Sequence, residues 1–162
     1  MLKKEILMSQ AGMRSMEQEL EYLKAVRRKE VAQKIKTALS FGDLSENSEY
    51  DEAKNDQAML EGRISYLEKT LTNVRVIDVS ELNTDNVCIG CTVKIKDVET
   101  GEFEDYSIVS SNEANASQGK ISDESPMGKA MIGKSVGEIF DVVLPSGYKM
   151  KFEVVEIGKQ NL

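Results

Sequence analysis

The sequence predicts an α+β protein: an N-terminal antiparallel α-helical coiled-coil hairpin, then a C-terminal antiparallel β domain with one short helix. Up to about residue 77, apolar residues recur three and four apart, which is the spacing of helices packed as a coiled coil. Beyond a polar stretch, apolar and polar residues alternate between turn-forming segments, which is typical of strands. We therefore expect a hairpin over residues 1–77, a linker over 78–86 and a β domain over 87–162.

The second helix of the hairpin has the more regular seam. This seam consists of Tyr50, Ala53, Gln57, Leu60, Ile64, Leu67, Leu71 and Val74. The first helix keeps the same rhythm from Met13 to Leu23. Its later apolar residues resume after a phase shift across Arg27–Glu30, which alters the supercoil locally. Gly42 ends the first helix, and the short connection after it requires the two helices to be antiparallel.

The C-terminal region carries strand and turn signals in regular alternation. The predicted strands are Val87–Lys96, Phe103–Ser110, Ile139–Leu144 and Tyr148–Ile157. One face of the last strand is expected to consist of Tyr148, Met150, Phe152 and Val154. Ser125 is a predicted N-cap, Pro126 stands at the first helical position, and Gly133 ends the short helix. The region is therefore a curled sheet with one helix.

Composition excludes several classes of protein. A hydrophobic content of 40% predicts a folded core, and a net charge of −7 argues against general binding to duplex DNA. No stretch is apolar enough for a signal peptide or a membrane span, so we expect a soluble cytoplasmic protein. Cys88 and Cys91 are the only cysteines and histidine is absent, whereas structural zinc usually needs four ligands. We expect both cysteines to lie, reduced, in a β-strand.

The connection between the helices is strongly acidic. Its carboxylates are Asp43, Glu46, Glu49, Asp51 and Glu52. Counted as a calcium loop from Asp43, the segment has Ser48 where glycine belongs and Lys54 where the bidentate glutamate belongs, so that interpretation is rejected. Asp43 and Glu46 suit a helix cap, but capping does not account for the acids that continue along the second helix.

Several motifs taken together resemble one family. They are Gly42–Tyr50, Leu60–Ile64, Val76–Asp78, Ile121-Ser122, Ser125-Pro126 and Leu144–Gly147. In this order, and across nearly the whole chain, they resemble the bacterial Gre transcript-cleavage elongation factors of the GreA type. The resemblance implies a coiled-coil hairpin and a C-terminal domain similar to FK506-binding proteins. It also implies a partner, bacterial RNA polymerase, whose secondary channel the hairpin enters.

The resemblance further implies roles for individual residues. Asp43 and Glu46 match the acids that help the polymerase hold a second Mg²⁺ and a water at the 3′ end of a backtracked transcript. Ser45 and Asn47 then orient the tip. The polymerase-binding residues are Glu124, Ser125, Pro126 and Met127, and the RNA-facing basic candidates are Arg27, Arg28 and Lys54. The chain is expected to be a monomer without a cofactor of its own. The resemblance also implies that the chain is not itself an enzyme and that Mg²⁺ is shared with the polymerase.

Two alternatives stay open from the sequence. The first is an inhibitory relative on the same scaffold that occludes the channel without promoting cleavage. The intact pair Asp43 and Glu46 speaks against it. The β domain alone suggests a prolyl isomerase with a coiled-coil adaptor, but a fold does not determine an activity. This sequence also has Leu39 where some relatives carry a basic residue facing the transcript, which predicts short cleavage products.

Overall fold

A computed structural model describes residues 5–42 and 48–160 and divides the chain into two compact units. The helical unit includes Met13–Val74, and the β unit includes Glu5–Gly12 together with the chain from Arg75 onward. The predicted α+β class is confirmed. The N-terminal residues 5–12, which the sequence analysis counted with the hairpin, belong with the β unit.

The helical unit begins within α1 (Gln10–Tyr22), at Met13, and continues through a π-helical turn (Leu23–Arg27), α2 (Arg28–Leu39) and α3 (Ser48–Leu71). In the π turn the N–H of Arg28 donates to the carbonyl of Leu23, five residues back. Such a turn adds one residue to the helix and rotates the faces that follow. The apolar phase shift predicted across Arg27–Glu30 therefore corresponds to this turn, which overlaps it at Arg27.

Burial confirms the central part of the predicted α3 seam, but Val74 lies in the strand Val74–Val76, because the helix ends at Leu71. Ala53, Leu60, Ile64 and Leu67 are buried. Val31 of α2 forms a cluster with Leu60 and Ile64, and three partly buried residues pack on it: Leu20, Leu23 and Ile35. Ion pairs between the helices show their relative direction: Lys24 pairs with Glu68, Arg28 with Glu61 and Lys34 with Asp56. Residue numbers rise along the first helix while those of the partners fall along α3. The helices are therefore antiparallel.

The β unit contains a five-stranded sheet. Its strands are β3 (Cys91–Asp97), β4 (Phe103–Val109), β5 (Lys120–Ser122), β6 (Ile139–Val143) and β7 (Lys149–Lys159). Their order across the sheet is β5-β4-β3-β7-β6. All neighbours are antiparallel except β4 and β5, which pair in parallel, and β3 carries an irregularity against β7 between Lys94 and Ile95. The short helix α4 (Pro126–Met131) follows β5.

The core of the β unit lies on one face of this sheet. Its buried members are Val87, Val93, Ile95, Ile108, Met131, Phe140, Val142, Phe152 and Val154. The rings of Phe140 and Phe152 stack with centroids 5.8 Å apart. Phe152 and Val154 occupy the predicted inner face of the last strand, but Tyr148 is 57% exposed. That part of the prediction is wrong because Tyr148 precedes β7 and lies beyond the core.

A second, two-stranded sheet pairs β1 (Ile6–Met8) with β2 (Val74–Val76). Met8 is fully buried, and its carbonyl accepts from the N–H of Ile77 at 3.0 Å. Ser9 follows, with its Oγ accepting from the N–H of Gly12 at 3.0 Å, and its N–H donates to the Glu113 carboxylate at 2.9 Å. The sequence does not predict β1, because its three residues are too few to show alternation.

Candidate functional site

The four candidates at the centre of the acidic connection lie outside the described residues. These are Asp43, Ser45, Glu46 and Asn47, and the proposed cap by Asp43 falls with them. The helix ends on either side are described. Helix α2 ends at Leu39, and Gly42 has a φ of +99°, which is the left-handed conformation that glycine adopts readily after a helix. The predicted helix stop at Gly42 is confirmed to within a turn.

The start of α3 continues the acidic character of the connection. Glu49 and Asp51 lie in its first turn, where the helix dipole stabilises negative charge. One cation of α2 faces this end of the unit: Nζ of Lys34 lies 2.6 Å from Asp56 and 3.5 Å from Glu52. The hydrogen bond with Asp56 is the main cause that raises the pKa of Lys34.

Ionic or polar partners engage the three basic candidates. Arg28 donates two hydrogen bonds of 2.8 Å to Glu61, in the parallel geometry that favours arginine–carboxylate pairs. Arg27 is paired with Glu30 one turn along the same helix. Lys54 donates to the side-chain carbonyl of Gln57 at 2.8 Å. The RNA-facing role stays a prediction, and phosphate contacts would compete with these partners.

The bond between Arg28 and Glu61 also shifts their titration. It raises the pKa of Arg28 and lowers that of Glu61, with the hydrogen bond as the largest cause in both. Arg63 and Glu19 form a second bidentate pair, with hydrogen bonds of 2.7 and 2.9 Å. Here too the hydrogen bond raises the pKa of the arginine and lowers that of the glutamate. These pairs lie at the surface, where an ion pair contributes little free energy.

The four polymerase-binding candidates lie together at the start of α4. The hydroxyl of Ser125 accepts from the N–H of Gly128 at 3.0 Å and donates to the carbonyl of Ser122 at 2.6 Å. Pro126 occupies the first turn and is exposed. The predicted cap and helix are therefore confirmed, while the binding role stays a prediction.

Glu124 and Met127 flank this cap with different surroundings. Glu124 is exposed, and its carboxylate accepts from the hydroxyl of Ser111 at 2.9 Å. Met127 is partly buried against the sheet core. Gly128 fits closely over the carbonyl of Ser122, so a side chain there would overlap with the backbone. Glu124 and Pro126 are therefore exposed at a helix start whose backbone is held by the Ser125 cap and by the close fit of Gly128 over Ser122.

Sequence reasoning missed an apolar groove of about 510 Å³ beside α4. It is lined by Leu7, Leu82, Val87, Cys88, Ile89, Asp123, Lys129, Ile132 and Gly133. These residues come from β1, the segment before β3 and the two ends of α4. No local pattern joins segments so far apart in sequence, so no sequence signal was available to find this groove.

The cysteines correct another expectation. Cys91 is the first residue of β3, but Cys88 lies in the turn before it and lines the groove. Burial is the main cause that raises the pKa of Cys88 to about 12. Within residues 5–42 and 48–160, no three histidine, cysteine or acidic side chains are grouped to hold a metal. The same part of the chain contains no helix long and apolar enough to cross a membrane.

Two family models and several curated relatives match nearly the whole chain. A family described as "Transcription elongation factor, N-terminal" matches residues 6–76, and "Transcription elongation factor, GreA/GreB, C-term" matches residues 82–159. Transcription elongation factor GreA of Acetivibrio thermocellus is 55% identical over 156 residues, covering 96% of this chain and 98% of that protein. GreA of Thermoanaerobacter pseudethanolicus is 52% identical over 158 residues, covering 98% and 100%. The crystal structure of GreA factor homolog 1 (Gfh1) of Thermus thermophilus is 31% identical, covers 95% of this chain and 99% of that one, and has a TM-score of 0.44.

Proposed function

The chain belongs to the GreA/GreB family of transcription elongation factors, and from that premise we propose how it acts. The hairpin enters the secondary channel of bacterial RNA polymerase and stimulates the polymerase's own cleavage of a backtracked transcript at its 3′ end. One observation carries the proposal: α2 and α3 are antiparallel, α2 ends at Leu39 and α3 begins at Ser48, and residues 40–47 between them include Asp43 and Glu46. At 24 residues, α3 is about 36 Å long, which suits delivery into a channel.

The acids contribute oxygen ligands to a shared site. Carboxylates are the ligands that Mg²⁺ prefers, but two of them supply too few oxygens for its octahedral shell, so the polymerase and water would complete it. When bound, the ion polarises the phosphate and activates the attacking water. Asp43 and Glu46 would be the ligands that this chain supplies to the shared ion, while Ser45 and Asn47 would orient the connection. The chain is then a cofactor of the polymerase rather than an enzyme, and it has no metal of its own.

The β unit supplies affinity in this proposal. Glu124 and Pro126 are the exposed residues of the α4 start, and the Ser125 cap fixes their backbone. Met127, partly buried, presents its remaining surface beside them. Because this site is separate in sequence from Asp43 and Glu46, it contributes to binding rather than to the transition state.

We further propose that the chain works as a monomer in the cytoplasm, where polymerase is found. Ala53, Ile64 and Leu67 of the α3 seam are covered within the same chain, so the seam needs no second copy. Light scattering coupled to gel filtration measures the mass directly, and a dimer at working concentration would contradict this part.

A stalled elongation complex with labelled transcript tests the main proposal. The wild-type chain should release short 3′ fragments, whereas Asp43→Ala and Glu46→Ala should not stimulate release. Asp51→Ala is the matched control, because it removes an exposed acid from the first turn of α3 and leaves the proposed pair intact. Helix content by circular dichroism should be the same in all variants. Full cleavage by the double variant would overturn the metal role, and slowed elongation without cleavage would identify an occluding inhibitor instead.

A further inference from the structure

The two cysteines are the first and last residues of a tight turn. The N–H of Cys91 donates to the carbonyl of Cys88 at 3.1 Å, and Gly90 between them has a φ of +95°. A side chain at Gly90 would also press on Leu82 and Ile77, at 3.0 and 3.2 Å. In a β-turn the first and last Cα atoms lie within about 7 Å, which overlaps the span of about 4.4–6.8 Å that a disulfide bridges.

Neighbouring segments hold this turn on both sides. The N–H of Gly90 donates to the carbonyl of Ile108 in β4 at 2.9 Å, and its carbonyl accepts from the N–H of Gln160 at 2.9 Å. The buried side chain of Gln160 donates to the carbonyls of Cys91 and Ile108, at 3.3 and 2.8 Å. The backbone around the two thiols is therefore fixed by the fold rather than by the thiols themselves.

The thiols meet inside this fixed turn. Their Sγ atoms are 2.7 Å apart, and both cysteines are free thiols. Cys91 is fully buried, whereas Cys88 is partly exposed and lines the apolar groove beside α4. One sulfur is thus open to a small reagent and the other is reached only through it. The whole sequence has no histidine and no further cysteine to complete a structural zinc site.

We propose that Cys88 and Cys91 form a modification site at which a small-molecule disulfide, such as glutathione disulfide, closes a reversible intramolecular disulfide. The deprotonated sulfur of Cys88 attacks the reagent, forming a mixed disulfide and releasing one glutathione thiolate, which takes up a proton. The deprotonated sulfur of Cys91 then attacks Sγ of Cys88 and releases the second glutathione. The protein loses two hydrogen atoms and is oxidised by two electrons, and one glutathione disulfide is reduced to two glutathiones.

Intact-protein mass spectrometry and thiol counting test the site on the full chain. The reaction is run in alkaline buffer, because the raised pKa of Cys88 makes its thiolate scarce at neutral pH. Wild-type protein should lose the mass of two hydrogens and both titratable thiols, and dithiothreitol should restore them. Cys91→Ser should instead keep one glutathione on Cys88, and Cys88→Ser should stay unmodified, because Cys91 is buried.

The role of the turn is tested separately by the equilibrium with glutathione. The folded chain should favour the closed disulfide over the same chain in denaturant by roughly tenfold or more, because a fixed turn raises the effective concentration of one thiol at the other. Gly90→Ala should lose this advantage. Gly147→Ala is its matched control, since Gly147 has a φ of +87° but open space around it. A stable glutathione adduct on the wild-type chain, disulfides between chains, or no preference in the folded state would overturn the proposal.

Discussion

Ser125 combines a cap with a proposed binding role, and substitution separates the two. Ser125→Ala removes the acceptor of the Gly128 N–H and the donor to the Ser122 carbonyl. Loss of an N-cap costs about 0.5–2 kcal/mol. The Ser122 carbonyl adds little, because it keeps the N–H of Ser125 as a donor at 3.1 Å. We expect about 1 kcal/mol of lost unfolding free energy and weaker binding to polymerase.

Ser125→Asn provides the decisive comparison. Asparagine caps helices about as well as serine, so this variant should recover most of the lost stability. If the cap alone matters for polymerase, binding recovers as well; if the serine side chain contacts polymerase, stability recovers without binding. Ser117→Ala is the control, because its hydroxyl donates to the exposed Asn115 side chain at 2.6 Å, and its cost should be under about 0.5 kcal/mol. Urea unfolding and polymerase titration measure the two quantities. An unchanged stability for Ser125→Ala would refute the cap argument.

Three further predictions concern the helical unit. Ile64→Ala should lower the unfolding free energy by about 2–5 kcal/mol because Ile64 is 2% exposed, whereas Met59→Ala, at 68% exposure, should change it by under about 0.5 kcal/mol in the same urea titration. Because Arg28 lowers the pKa of Glu61, their pair stabilises the fold at pH values above the ordinary glutamate pKa of 4.5. This stabilisation is lost as the pH falls through the lowered pKa. Arg28→Gln should therefore flatten the acidic part of the curve of unfolding free energy against pH. Leu39→Arg should lengthen the 3′ fragments released from deeply backtracked complexes, sized on a gel, since Leu39 is exposed at the end of α2 and arginine would add a phosphate contact there; an unchanged size distribution would contradict this.

The sequence was informative wherever one element has a period of its own. The α3 seam from Ala53 to Leu67 and the inner face of β7 at Phe152 and Val154 were predicted because burial repeats along a single helix or strand. The cap at Ser125 was predicted because its hydrogen bond closes within three residues. Such features need no knowledge of the rest of the fold.

Features that depend on distant segments were not predictable in this way. Strand β1 depends on a hydrogen bond between Met8 and Ile77, which are separated in sequence by nearly the whole helical hairpin. With three residues, the strand is also too short to show a period. The groove beside α4 likewise joins Leu7, Leu82 and Ile132. The π turn is visible in the sequence only as the phase shift of the apolar residues. That shift predicts a local change of supercoil, but it does not show the extra residue at Leu23–Arg27.

The basic residues show how pairing changes a sequence-based interpretation. From the sequence, Arg27 and Arg28 resemble a patch for RNA phosphates. In the fold, Arg28 donates both bonds of its fork to Glu61, and Arg27 is held by Glu30. A phosphate that recruited Arg28 would have to replace a carboxylate already held in bidentate geometry, so the gain is only the difference between two similar bonds. Only the counterions released beyond that exchange would favour RNA. Arg27 and Arg28 therefore add little net attraction for RNA, which is consistent with the proposal that the acidic connection, rather than these two arginines, acts at the polymerase active site.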